Sequence, residues 1–212
     1  MKFETLKTDV LILGSGGAGL FAALHASQAN PDLHITIAVK GLLGKSGCTR
    51  MVQGGYNVAL SPGDSVERHF MDTINGGKWL PDQDMAMRLC QTAVTRVQEL
   101  ENELGCFFDR NDDGSLHHKA FAGQTFDRTV HKGDLTGIEI ISRLMEQVGA
   151  LPVNMFHRSV LICGRACSFS CSFCAMRSIA LRVMREFFMI VLVANMTLPT
   201  RLSLTMLRQV GQ

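Results

Sequence analysis

The chain has 212 residues, 46% apolar and 19% charged, which excludes a disordered polymer and allows one generous domain or a domain with an appendage. Its net charge of +2 conceals an asymmetry: residues 1–150 carry 14 Lys and Arg against 18 Asp and Glu, whereas residues 151–212 carry seven Arg, no Lys and one acid, Glu186. Seven cysteines, and charges at Lys2, Glu4, Lys7 and Asp9 that interrupt any leader-like run, point to a reducing cytosol, and the longest apolar run, residues 187–194, is far short of the about 20 needed to span a membrane.

Residues 9–19 read Asp-Val-Leu-Ile-Leu-Gly-Ser-Gly-Gly-Ala-Gly. The apolar run Val10–Leu13 suits a buried parallel strand, and it drops into Gly14-x-Gly16-x-x-Gly19. Gly14 permits a tight turn, Gly16 admits a pyrophosphate close to the backbone with turn angles that disfavour a β-branched residue, and Gly19 lets a helix pack on the strand. The amides of residues 14–19 (Gly14, Ser15, Gly16, Gly17, Ala18 and Gly19) then face the negative charge at a helix N-terminus. An Ala-rich helix over 20–29, a turn at Asn30-Pro31-Asp32 and a second apolar strand over 35–39 complete a dinucleotide-binding βαβ unit.

A long glycine-rich connection over 40–55 follows, of a kind that carries function when a scaffold holds its ends. The pattern predicts a helix over 65–76, capped by Ser61 or Asp64 and ended by Gly76-Gly77. A stronger helix starts at Asp82-Gln83-Asp84, with Met85, Leu89, Ala93, Val97, Leu100 and Leu104 on its apolar face and Gly105 closing it. Cys106-Phe107-Phe108 beside Asn111-Asp112-Asp113-Gly114 suggests a hairpin turning at Asp113-Gly114. A last helix is expected over 138–148, after which the texture changes to Ser, Cys, Met and Arg.

Cys48-Thr49-Arg50-Met51-Val52-Gln53-Gly54-Gly55 resembles the Ser-His-Thr-x-x-x-Gln/Glu-Gly-Gly segment of the flavoprotein subunits of succinate dehydrogenase and fumarate reductase, whose relatives include L-aspartate oxidase. Three further matches follow in the family's order: Asp72-Thr73-Ile74-x-x-Gly77-x-Trp79-Leu80-x-Asp82-Gln83, Phe121-x-Gly123-Gln124, and Asp127-Arg128-Thr129 with Asp134-x-Thr136-Gly137. The resemblance covers residues 8–148. It implies an α/β, Rossmann-like FAD-binding domain, present here in part, with a parallel sheet and flanking helices. It also implies FAD held by residues 14–19, Lys40, Ser46, Gly47, Cys48, Thr49, Gln53, Gly54 and Gly55. Many nucleotide folds place an acid where Lys40 stands, and this family tends to have lysine there. By the same resemblance Phe121, Gly123 and Gln124 face a dicarboxylate substrate, and an iron–sulfur subunit is a partner. The expected location is cytoplasmic or peripheral at the inner face of a membrane, and nucleic acid is not an expected partner.

Cys48 falls where the respiratory enzymes carry a histidine bonded to FAD. Histidyl attachment cannot occur here. A cysteinyl link is chemically open to a thiolate, with Lys45 and Arg50 nearby in sequence; the preferred reading is a small buried residue in a tight loop, with noncovalent FAD. Phe121 reads either as substrate-facing or as an ordinary core aromatic, and His117, His118 and His131 as solvated or hydrogen-bonded histidines with no metal site. The family's hydride chemistry relies on a later arginine and a His-Pro-Thr-Gly motif, and neither that motif nor an Ala-Thr-Gly-Gly strand occurs. No catalytic residue is therefore assigned. The chain is read as residues 1–149, part of an FAD-binding domain, and 150–212, a divergent Cys-, Arg- and Met-rich tail without a fixed dock. Alternatives are a truncated or frameshifted product, or a cysteine-centred module. Cys167-x-x-x-Cys171-x-x-Cys174 has the spacing of radical S-adenosylmethionine enzymes, and adding Cys163 gives a cramped zinc pattern.

Overall fold

The computed structural model describes residues 2–45, 47–156, 159–162, 190–193 and 202–208. The chain divides into two compact units, Met1–Arg50 with Leu144–Gln212, and Met51–Arg143.

In the first unit, β1 (Lys2–Thr8) leads into β2 (Val10–Leu13), then α1 (Gly17–Ala29) and β3 (Ile35–Ala38). The βαβ expectation holds: β2 and β3 are parallel, with Ile12 opposite Ile37. Ile12, Ile35 and Ile37 are buried, and Leu20, Ala23 and Leu24 of α1 are buried with them. The turn at the end of α1 is made as the sequence predicts, Asn30 Oδ1 accepting from Asp32 N at 3.0 Å. Thr8 helps to hold the start of β2, its buried hydroxyl donating to the carbonyls of Val10 and His34. A third parallel strand, β7 (Asn154–Phe156), adds to β3.

The tail is where the sequence expectation needs correction. Four described stretches of residues 150–212, β7 among them, are strands with partners. β9 (Ile190–Val193) runs antiparallel on the other edge of β2, giving the sheet order β7-β3-β2-β9. β10 (Leu202–Arg208) lies between β1 and β8 (Ser159–Ile162), antiparallel to both. The physical reason is simple: Ile-Val-Leu-Val is a strong strand former, and an open strand edge offers a row of unpaired N–H and C=O groups. Cys163, Cys167, Cys171, Cys174, Phe187 and Phe188 lie outside the described residues.

The second unit begins at the end of a single 3-10 turn, Thr49–Met51. It holds β4 (Tyr56–Asn57), α2 (Val66–Gly76), α3 (Gln83–Asn102), β5 (His118–Lys119) and β6 (Thr129–Val130), the three strands forming a small antiparallel sheet in the order β4-β6-β5. α4 (Thr136–Gly149) starts two residues before its expected position, and its Ile141, Leu144 and Val148 are buried. The cap of α2 is neither Ser61 nor Asp64 but Ser65, whose side chain accepts from Arg68 N at 3.2 Å. Asp64 is committed elsewhere, as described below.

α3 also departs from its expected face. Ala93, Val97 and Leu100 are buried, but Met85 and Leu89 are exposed, and Ala86 and Cys90 complete the buried stripe. Small side chains let α3 lie close along α2, so the turn-by-turn choice of inward residue follows size as well as hydropathy. The hairpin reduces to one bridge, Arg110 with Leu116, around a turn in which Gly114 N donates to Asn111 O and Asn111 N to Ser115 O. Among the described residues no helix is long and apolar enough to cross a membrane.

Candidate functional site

In the first unit the glycine turn closes when Gly14 N donates to Ala38 O at 2.9 Å, joining the end of β2 to the end of β3. Gly14 has φ +111°, a region that favours glycine, and a side chain on Gly19 would sit 2.3 Å from Gly14 O. These two positions are glycine because the turn and the helix–strand approach require it.

Gly16 is different. Its φ of −73° and ψ of 177° suit any residue, and a Cβ there would meet nothing nearer than Thr49 Oγ1 at 3.9 Å. The expected backbone objection to a β-branched residue is therefore corrected; what Gly16 leaves open is space. It is the N-cap of α1, makes no side-chain cap, and is followed by a first turn without an acid. A helix N-terminus whose N-cap residue has no side chain, with open space at that residue, can act as a cradle for an anion.

The loop over 40–50 packs onto this turn. Thr49 Oγ1 accepts from Gly17 N at 3.1 Å, and Ser15, buried, uses its hydroxyl to accept from Gly44 N at 3.0 Å. A Cβ on Gly47 would sit 3.5 Å from the Gly16 Cα, an ordinary van der Waals contact. Ala18 and Lys40 are exposed, Lys40 two residues past β3. Cys48 is exposed, which corrects the reading of it as a buried loop residue: its neighbour Thr49 makes the contact with the turn instead. Ser46 lies outside the described residues.

In the second unit Gln53 is exposed and Gly54 and Gly55 are half-buried. A side chain on Gly54 would meet Phe121 Cε2 at 3.1 Å, so the phenylalanine ring lies against this glycine. Gly55 lies against β6, where a Cβ would come within 2.5 Å of Val130 O. Phe121 is 55% exposed, which removes the core-aromatic reading. Gly123 is exposed, and Gln124 N donates to Phe121 O across a short turn.

Two groups went unread in the sequence as contacts. Arg128, fully buried, donates to both oxygens of Asp64 at 2.9 Å and to Asp72 Oδ2 at 2.6 Å. Asp72 and Arg128 each belonged to a recognised motif; what linear spacing cannot show is that the motifs meet. Burial raises the Asp72 carboxyl, but hydrogen bonds from Thr125 and Arg128 outweigh it and hold the group below the ordinary carboxylate range.

The second is a histidine pair, His117 Nδ1 to His131 Nε2 at 2.7 Å, with His131 Nδ1 3.1 Å from Asp109 Oδ2. His118 Nδ1 lies 3.3 Å from Ser61 Oγ. Burial depresses both His131 and His118, as neutral hydrogen-bonded rings. Among the described residues no group of three or more His, Cys, Asp and Glu is placed to hold a metal.

A parallel βαβ unit with a glycine-lined helix start is the architecture of a dinucleotide-binding protein. Residues 9–162 match the family model described as FAD binding domain, and the chain belongs to that family. It is 45% identical over 151 residues to a fumarate reductase (CoM/CoB) chain of Methanothermobacter marburgensis, covering 70% of this chain and 27% of that one. It is 44% identical over 143 residues to an uncharacterised FAD-dependent oxidoreductase of Methanocaldococcus jannaschii, covering 68% and 26%. Among solved structures, the flavoprotein of E. coli quinol fumarate reductase superposes with a TM-score of 0.70 at 34% identity, covering 74% of this chain and 26% of that one. The chain thus spans about a quarter of the length of the relatives it matches. The family's cofactor is FAD, and the uncapped Gly16 cradle with its covering Thr49 fits the pyrophosphate of such a group.

Proposed function

We propose that this chain is the FAD-holding portion of a succinate dehydrogenase/fumarate reductase-type oxidoreductase, binding its cofactor noncovalently. The observation that carries the reading is the start of α1: no side-chain cap, no acid in the first turn, and room at Gly16. The Gly16–Ala18 end of α1 orients the pyrophosphate, while Thr49 holds Gly17 and keeps the 40–50 loop over the turn. FAD, when bound, supplies a hydride acceptor at flavin N5. Residues 53–55, with Phe121 against Gly54, form the part of the second unit that faces a dicarboxylate, Gly123 and Gln124 extending it. We assign residues 1–149 to this flavin-binding part and 150–212 to an appended segment, β9 and β10 of which pair with it. By the family resemblance we propose an iron–sulfur subunit as a partner, with the chain cytoplasmic or peripheral at the inner face of a membrane.

Titration of the apo chain with FAD, followed by flavin fluorescence, tests the site. Gly16→Val is expected to abolish binding while leaving the circular dichroism spectrum and Tm unchanged, because the valine fills ligand space rather than straining the turn. Unchanged flavin affinity in that variant would sink the assignment. Acid precipitation is expected to leave a colourless pellet. Succinate oxidation and fumarate reduction by these 212 residues should stay at the flavin-only background, since the groups that give such reactions several orders of magnitude are not among them.

A further inference from the structure

The segment at 121–125 is exposed along most of its length, yet it is tied to α2 at one point. Thr125 donates twice to Asp72 Oδ2, from its backbone N and from its hydroxyl, both at 2.9 Å. The same oxygen accepts from Arg128 Nη1 at 2.6 Å. Three donors on one carboxylate oxygen fix its direction far more narrowly than a single hydrogen bond would.

Behind Asp72 the anchor is rigid. The Arg128 guanidinium is fully buried and clamps Asp64 with two parallel bonds at 2.9 Å, and Asp64 Oδ1 also accepts from Ser65 N, the residue that caps α2. A buried arginine between two carboxylates is a poor source of net stability, because desolvating the charges offsets most of their attraction. Its effect is geometric: a planar fork with fixed bond directions sets where α2 and the 121–128 stretch lie relative to each other.

Next to the anchored residue the segment carries an unmet need. Gln124 Oε1 is buried and has no hydrogen-bond partner among the described residues. Amide oxygen and nitrogen are interchangeable in such an assignment, so the atom at this place can be a donor for a ligand carboxylate. It adjoins Thr125, the residue held by Asp72, and Phe121 at the far end of the segment lies against Gly54.

We propose that Asp72, oriented by Arg128, is a positioning residue: through Thr125 it sets Gln124 and Phe121 to receive one carboxylate of a dicarboxylate ligand. This rests on the reading of residues 121–124 as substrate-facing. Asp72 touches no ligand itself.

Thr125→Val separates the anchor from the fold, because it removes one donor from Asp72 and leaves the Arg128 pairs intact. The full chain, loaded with FAD, is titrated with malonate and followed by the change in flavin absorbance. The expected result is malonate binding weakened about tenfold in Thr125→Val, the scale of one hydrogen bond to a charged group, with Tm and FAD affinity as in the wild type. Thr125→Ser restores the affinity. Amide exchange at residues 121–125 of the ligand-free protein speeds up in Thr125→Val and returns to the wild-type rate in Thr125→Ser. Wild-type malonate affinity in Thr125→Val overturns the positioning role and leaves the substrate-facing reading standing. Loss of malonate, FAD and Tm together in Thr125→Val also overturns it, in favour of a purely structural tie. A wild-type chain that binds FAD but gives no malonate response overturns both.

Discussion

Burial, with the Glu139 carboxylate adding to it, pushes the Cys106 thiol up to about 12, and burial raises Cys90 as well. Neither forms thiolate near neutrality, and both are buried. Cys48 is exposed in the loop that covers the nucleotide turn, so it is the reactive one of the three. Brief iodoacetamide treatment of native protein at pH 8, with peptide mapping, should label Cys48 and spare Cys90 and Cys106 until denaturant is added. Saturating FAD should slow the labelling of Cys48 if the cofactor lies against the 40–50 loop; equal rates with and without FAD would separate Cys48 from the flavin. The residue scale is also where the sequence was most legible for the turn and least for the loop. Gly14 and Gly19 are dictated by contacts within one turn, which a local motif encodes. The exposure of Cys48 depends on how a glycine-rich loop leaves the turn, and no local pattern states that.

At the scale of elements, helix starts are legible when the cap is adjacent and ambiguous when several candidates crowd together. Asp82 stands alone before α3 and caps it, Oδ1 accepting from Met85 N at 2.9 Å. Ser61, Asp64 and Ser65 compete before α2, and the winner is set by Arg128, more than 60 residues later, which takes Asp64 away. Asp82→Ala should cost about 1 kcal/mol, or about 2–4 °C in Tm for a chain of this size. Asp82→Asn keeps the acceptor and should lose only the charge–dipole part, about 0.3–1 kcal/mol. Thermal unfolding of the two variants beside wild type checks the order; equal losses would assign the whole effect to charge. The β9 pairing was illegible for a related reason. A run such as Ile-Val-Leu-Val announces a strand, but its partner, β2, is some 180 residues away, and pairing across that distance leaves no trace in either segment alone.

Across the described residues, three histidines lean one way. Burial is the largest cause holding His69, His118 and His131 below the ordinary histidine value; the Arg128 charge adds to it at His69, Lys119 at His131 and His117 at His118. Asp64 and Asp72 oppose it at His69, Asp64 and Asp127 at His118, and Asp109 at His131, without reversing the sign. Each ring is neutral in the folded chain at a pH where its unfolded counterpart begins to take up a proton. The unfolded state therefore binds more protons as pH falls through about 6.5, and stability falls with it until the folded-state values are passed. Asp72 and Asp109 act lower down. The hydrogen bonds that depress them contribute stability above the ordinary carboxylate value of about 4, which is lost as pH falls through their folded values. The expected Tm profile thus declines in two stages on acidification, a first between pH 7.5 and 5.5 from the histidines and a second below about pH 4 from the carboxylates. His131→Gln should lower Tm at pH 7.5, since it disturbs the contact with His117, but should make the first decline shallower because one titrating ring is gone. Asp72→Asn should flatten the second stage and leave the first unchanged. A wild-type Tm that stays level from pH 7.5 to 5.5 would mean that the three rings keep their ordinary proton affinity in the fold, and the assignment of them as buried neutral partners would fail.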